Sequence, residues 1–316
     1  MSSPKEYTQE ELYDLDIKSK QFHDALYSEP IDEAVIVDIL SNTTNEERQI
    51  IRNSYKSSYK VPIQNDIKSQ LDKELKELAI DLFDTPYEYD ARELHRALNS
   101  LTVDDDLIIE IFASRPKAHF EYVESAYEKF YEKSLRDDIK KHTPKEFAEF
   151  LFAIMETERP IDQTISGNEA YENASEMAKI GLKEFGIDVN IFQKIFIERS
   201  REDLILIARA YYESTQENLY EAIEKYVEGK NKKLLMALVF AVITPPQFFS
   251  EKCANELQKH GRNSATFFRV MVSRADIDMY AIRDYYIMDT NRELKSDIDM
   301  ENSPAYVKVL SNLSLK

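Results

Sequence analysis

The stretch YEKSLRDDIK (Tyr131–Lys140) follows the same scheme as YKVPIQNDIK (Tyr59–Lys68), seventy-two residues earlier. Each reads Tyr, three residues, an aliphatic, two residues, then Asp-Ile-Lys. A phrase whose anchors stay in step points to one structural unit written more than once. Other positions obey the same ruler: the interval from Arg115 to Arg274 is also that from Asp138 to Asp297 and from Leu135 to Leu294. Arg199 follows Arg115 by the interval at which Leu219 follows Leu135 and Ile223 follows Ile139. Four copies result, with register offsets of 72, 84 and 75. The longer middle offset is accounted for by the polar stretch ETERPIDQTISGNEAYE (156–172), with Pro160 and Gly167, which reads as a linker. The expected division is an N-terminal segment 1–18, repeats at 19–90 and 91–155, a linker 156–171, and repeats at 172–250 and 251–316.

The periodicity inside the copies is helical. ARELHRAL, DDLIIEIFASR, HFEYVESAYEKFY and EFAEFLFAIM carry apolar residues at three- and four-residue steps. Capping boxes are expected at Thr44…Glu47, at Thr85…Glu88 with Pro86 opening its helix, and at Thr143…Glu146 with Pro144. At ordinary helix and loop lengths each copy of about seventy residues holds about five helices. The fold class is all-α.

Composition excludes several functions. The five glycines assemble neither GxGxxG nor GxxxxGK[ST], so phosphate loops of the dinucleotide and P-loop kinds are absent. Lys+Arg 41 against Asp+Glu 59 gives a net charge of −18, which opposes nucleic-acid binding and repels an anionic bilayer unless something bridges the two. Cys253 is the one cysteine and no signal-peptide pattern opens the chain, so a reducing, cytoplasmic setting is expected. The run LLMALVFAVI (234–243) is too short to span a membrane. The five histidines form no HExxH or close pair, and no enzymatic constellation emerges.

Four copies of about seventy residues, the long central linker, YDARELHRAL before the second copy's first loop, and RVMVSRADID in the fourth resemble the annexins. The resemblance covers residues 15–316. It implies a curved disc of four five-helix repeats whose loops, between the first and second and between the fourth and fifth helices, hold calcium that bridges to acidic phospholipid. It also implies a cytoplasmic protein, peripheral at the membrane or cytoskeleton.

The loops depart from the family's Met-Lys-Gly-x-Gly-Thr pattern and its acidic residue about forty positions on. Copy one reads Leu26-Tyr27-Ser28-Glu29-Pro30-Ile31 with Gln70 at the acidic position, and copy two Leu98-Asn99-Ser100-Leu101-Thr102-Val103 with His142. Copy three keeps Gly181 and Gly186 but has Tyr226 at that position, with Glu224 and Glu228 to either side; copy four keeps Gly261 and Glu301 but carries Lys259 and Arg262. Calcium wants six to eight hard oxygens, and glycines let carbonyls converge on it. Few, weak sites are therefore expected. The first candidate is the loop before copy one's fifth helix, where Asp72 and Glu74 either hold an ion or simply complement the helix dipole. The candidates with Gly261 and Glu301, then Gly186 and Glu228, follow. Phe185 stands where family members expose an aromatic to the bilayer.

By the same resemblance Asp90, Glu93, Glu110, Arg115, Arg269, Arg274 and Asp278 line or brace the centre of the disc. They either form a polar channel or pair to fix helix register. Pairing between helices is expected, because unpaired buried charge is costly. Two functions follow from the whole: a peripheral protein binding acidic phospholipid through weak calcium sites, or a calcium-independent structural protein of the cytoskeleton or membrane cortex with a cytoskeletal partner. Loops this degenerate are similar to those of the alpha-giardins.

Overall fold

A computed structural model describes residues 5–161, 164–180, 189–261, 264–299 and 303–316. Among the described residues every regular element is a helix, twenty in all, and they fall into four sets of five. Repeat one holds α1 (Gln9–Leu26), α2 (Glu33–Asn42), α3 (Asn45–Tyr59), α4 (Ile63–Gln70) and α5 (Lys73–Phe83). Repeat two holds α6 (Pro86–Asn99), α7 (Asp105–Ser114), α8 (Lys117–Tyr131), α9 (Leu135–His142) and α10 (Lys145–Glu156). Repeat three holds α11 (Gly167–Ile180), α12 (Val189–Phe192, continuing as π-helix over Gln193–Ile197), α13 (Arg201–Thr215), α14 (Leu219–Tyr226) and α15 (Gly229–Ile243). Repeat four holds α16 (Pro245–Lys259), α17 (Ala265–Arg274), α18 (Met279–Thr290), α19 (Leu294–Ile298) and α20 (Ala305–Leu313). The first helix thus begins at Gln9, within the segment read as N-terminal.

The helices gather into two units. Repeats one and four make the first (Met1–Pro86 with Phe249–Lys316) and repeats two and three the second (Tyr87–Phe248). In the first unit α1 packs on α2 and α3, and α20 packs on α2 and α5; Phe22 meets Phe83 edge-on at 5.1 Å between ring centroids. In the second, α11 lies against α13 and α15 against α7. α10 shows why such segments are helices: Phe147, Phe150, Leu151 and Ile154 are all buried at helical spacing, each contributing roughly 1.5–3 kcal/mol by leaving water.

The backbone itself records the repeat. The third helix of every copy ends on a left-handed residue that is not glycine: Lys60, Glu132, Gln216 and Asn291, with φ of 63°, 54°, 59° and 57°. Their spacing reproduces the register offsets of the sequence. Each cap amide donates to the carbonyl four residues back, and the reversal lets the fourth helix start three residues later, at Ile63, Leu135, Leu219 and Leu294.

The repeated phrase can now be read physically. Tyr59 and Tyr131 close the third helix and stack on His23 and His95, with centroids 3.7 and 3.6 Å apart. The aliphatics Ile63 and Leu135 and the isoleucines Ile67 and Ile139 are buried. The aspartates between them accept the hydroxyl of a tyrosine one turn before the phrase: Tyr55 to Asp66 at 2.6 Å, Tyr127 to Asp138 at 2.6 Å, and in repeat four Tyr286 to Asp297 at 2.5 Å. Burial, then the carboxylate, pushes all three tyrosines well above their ordinary value. Repeat three has Tyr211 at the tyrosine's place and Ala222 at the aspartate's. Tyr127→Phe should therefore cost about 1–3 kcal/mol, since Asp138 keeps its buried carboxylate without its donor, while Tyr211→Phe should cost under about 0.5 kcal/mol. Urea denaturation of both variants measures the difference, and equal losses would mean that the hydroxyl–carboxylate bond adds nothing.

Helix starts are only partly as expected. The Thr44–Glu47 capping box forms, and boxes at Thr8–Glu11 and Ser200–Asp203 add to it. The box expected at Thr143–Glu146 does not form. Thr143 caps the end of α9 and donates its hydroxyl back to the Ile139 carbonyl at 2.8 Å, and Pro144 takes the N-cap of α10 with no side-chain bond. A threonine squeezed between two helices serves the first of them, because its buried hydroxyl finds that carbonyl one turn away.

Candidate functional site

The loops joining the first and second helices of repeats one and two are built alike. In repeat one the Ser28 hydroxyl donates to the Ala25 carbonyl at 2.8 Å, and the Asp32 amide donates to Ser28 Oγ at 2.9 Å and to Ala25 O at 3.1 Å. In repeat two Ser100 donates to Ala97 O at 3.0 Å and the Asp104 amide to the same carbonyl at 3.1 Å. Asp32 and Asp104 then cap α2 and α7. Each loop thus satisfies its own polar groups with a serine and an aspartate, where a calcium loop would turn carbonyls toward an ion.

The residues expected to close these loops have the wrong chemistry. Gln70 approaches the hydroxyl of Tyr27 in the first loop; its amide offers one neutral oxygen in place of a bidentate carboxylate. His142 is half-buried with Nε2 unpartnered among the described residues, and imidazole is no ligand for a hard cation.

The other candidates are single acids. Asp72 is the N-cap residue of α5 and exposed, and its side chain makes no capping bond; Glu74 lies in the first turn. Both carboxylates sit at the helix N-terminus without an ion-pair partner among the described residues, and the Asp72 carbonyl accepts the Lys76 amide at 2.8 Å. Glu228 is the exposed N-cap residue of α15, again without a capping bond. Gly261 is left-handed at φ 70° with open space around it. Gly181, Phe185, Gly186 and Glu301 lie outside the described residues. Among the described residues no three acidic, histidine or cysteine side chains converge on a point where a metal could be held.

Several of the charges inside the helices are paired. Asp90 on α6 takes both Arg115 Nε at 2.7 Å and Arg115 Nη2 at 3.2 Å from the end of α7, and His119 Nε2 lies 2.8 Å from it on α8. Burial would push the Asp90 carboxyl up, but the guanidinium and imidazole outweigh it and hold the group below the ordinary carboxylate range. Arg274 and Asp278, at the corresponding ends of α17 and α18, form a bidentate pair at 2.8 and 2.5 Å. There the residue matching Asp90 is Phe249, whose ring centroid lies 4.5 Å from the Arg274 guanidinium, and the acid stands at the position of His119. Not every pair joins two helices: Glu93 reaches Arg96 on its own helix at 2.8 Å. Glu110 is fully buried and Arg269 nearly so.

The annexin family model matches residues 18–82, 89–154, 173–238 and 248–313, one segment in each five-helix set. The chain belongs to the annexin family. Annexin A1 of Rattus norvegicus is 30% identical to it over 288 residues, covering 91% of this chain and 83% of the relative. The solved structure of annexin III superposes with a TM-score of 0.89 at 26% identity, covering 98% of this chain and 95% of that one. The calcium-bound structure of alpha-14 giardin shares the fold, with a TM-score of 0.76 at 13% identity, covering 95% and 99%.

This annexin also has a charged cluster with almost no signature in its sequence. Arg48 on α3 is fully buried; it donates to the carbonyls of Leu82 at 2.8 Å, Leu40 at 3.2 Å and Thr43, and its Nη2 lies 3.0 Å from Asp276 of repeat four. Asp276 also accepts the Asn45 amide and Lys316 Nζ, each at 2.8 Å. The only sequence signal was an acid inside SRADID, far along the chain from its partner. The serines that close the first two loops, Ser28 and Ser100, obey the same ruler as the repeated phrase.

Proposed function

We propose that this annexin is a peripheral protein that meets acidic phospholipid surfaces through few and weak calcium sites. Annexins as a family bind such membranes in a calcium-dependent way and are generally not enzymes, and no helix among the described residues is long and apolar enough to cross a membrane. The observation that carries the reading is the self-closed Ser–Asp loop of repeats one and two, with Gln70 and His142 where a carboxylate is needed. What remains is the pair Asp72 and Glu74, then Gly261 with Glu301, then Gly186 with Glu228.

Titration calorimetry should find fewer than four calcium ions with dissociation constants on the order of 10⁻⁴ to 10⁻³ M, the range of sites with few charged ligands. Asp72→Ala should remove the strongest of them and Glu301→Ala the next. In chelator the protein should not sediment with phosphatidylserine vesicles, because a net charge of −18 is repelled at the surface. Four micromolar sites, or binding untouched by both substitutions, would overturn the ligand assignment. Sedimentation that ignores calcium altogether would instead favour the structural, calcium-independent reading.

A further inference from the structure

Repeats one and three close the end of their second helix with arginines from different places. In repeat one the Arg48 guanidinium takes the carbonyls of Leu40 and Thr43. In repeat three the carbonyls at the same register, Phe196 and Arg199, take the guanidinium of Arg159, which comes from the linker. The residue matching Arg48 there is Leu204. One arginine thus serves each helix end.

The two arginines differ in counter-charge. Arg48 has Asp276, whose counterpart in repeat two is Lys117. Arg159 has no carboxylate within ion-pair reach among the described residues; its only acceptors there are the two carbonyls, so three of the five N–H groups of the fork find no acceptor among the described residues. Burial alone pushes it down to about 10. Arg159 lines a cavity of about 410 Å³ in the second unit, shared with Lys117 and Arg201. Lys117 is matched by Glu121 at 3.5 Å and Arg201 by Glu202 at 3.5 Å, both through solvent-facing carboxylates. Arg115, also on the wall, is held by Asp90. Glu158, beside Arg159 in sequence, also lines the cavity; it is exposed and, among the described residues, makes no ion pair with these cations. Among the described residues the wall thus carries the Arg159 guanidinium without an ion-pair partner, flanked by the cations of Lys117 and Arg201, with the exposed carboxylates of Glu158 and Glu202 at its edge, in a chain that is acidic overall.

We propose that this cavity is an oxyanion site that takes a phosphate group, either inorganic phosphate or a phosphate monoester, with Arg159 as the binding fork and Lys117 and Arg201 as flanking cations. A planar guanidinium suits a phosphate's paired oxygens, and desolvation strengthens the charge-assisted bonds. On the wall of the corresponding pocket in the first unit, Asp276 itself takes the Arg48 guanidinium and Lys316, so the arginine there is already neutralised. The inference does not depend on calcium.

The test is run in chelator on the full chain. At ten times its dissociation constant, inorganic phosphate should raise the wild-type melting temperature by roughly 2 °C beyond chloride at matched ionic strength. Lys117→Asp copies the arrangement around Asp276 and should weaken phosphate binding at least about tenfold, as should Arg159→Gln. Should Arg159→Gln fold poorly, the surface substitution Lys117→Asp carries the test alone. Glycerol 3-phosphate and mixed phosphatidylcholine–phosphatidic acid vesicles identify the source: a response to the soluble ester alone assigns a free phosphate compound, and vesicle binding abolished by Lys117→Asp assigns a lipid headgroup. A wild type that answers phosphate and chloride alike, or a Lys117→Asp variant with undiminished phosphate affinity, overturns the site.

Discussion

Asp276→Ala is expected to lower the unfolding free energy by about 3 kcal/mol at neutral pH, the low end of the cost of removing one partner from a buried ion pair. The Arg48 side chain is 1% exposed and the Asp276 side chain 20%, so water reaches the acid's side of the cluster and softens the loss. Burial pulls Arg48 down from its ordinary value, and Asp276 opposes that pull. Without the carboxylate, the guanidinium and Lys316 Nζ are left with carbonyl acceptors among the described residues, Thr43 O being common to both. The Asn45 amide at the start of α3 also loses its acceptor. Urea unfolding followed by circular dichroism measures the effect; a loss below about 1 kcal/mol would mean that solvent already screens the cluster.

Asp90→Ala should be more damaging, about 3–5 kcal/mol, because both ends of this cluster are sealed. The Arg115 and Asp90 side chains are 8% and 1% exposed, and His119 is 9%. The same carboxylate sets an acid response. Its folded value lies below the ordinary 3.8, so the stability it contributes is complete above that value and is lost as pH falls through it toward the folded value. Wild-type stability should therefore drop between about pH 5 and pH 2, and the drop should be shallower in Asp90→Asn, which removes that titration. Parallel pH profiles for the two proteins would count against a dominant role for Asp90.

How much of this was legible depended on the range of the interaction. The helices, their register and the four-fold count came from local spacing, and the left-handed residues at Lys60, Glu132, Gln216 and Asn291 lie on the same ruler. The Asp-Ile-Lys phrase was visible as a pattern, but its reason, a tyrosine eleven residues before the aspartate, was not. Thr143 and Glu146 had the spelling of a capping box, yet the hydroxyl went to the preceding helix because two helices abut there. Arg48 and Arg159 were invisible for a different cause. Each owes its meaning to carbonyls or acids far along the chain, and one arginine in a sequence reads the same whether it is solvated or sealed. The calcium loops were the reverse case: losing glycines and carboxylates is readable, whereas the serine closure that replaces them needed coordinates.

The arginine at the end of the second helix has consequences for treating the repeats as interchangeable parts. In repeat two its acid comes from the first helix, at Asp90, with His119 on the third. In repeat four the acid has moved to the third helix, at Asp278, and the first helix supplies the Phe249 ring. Transplanting the first helix of repeat two into repeat four would place two acids on one guanidinium; the opposite transplant would take the shared Asp90 carboxylate away from both Arg115 and His119. Backbones that match helix for helix thus carry incompatible wiring, and a functional chimera between these repeats must exchange all three positions together.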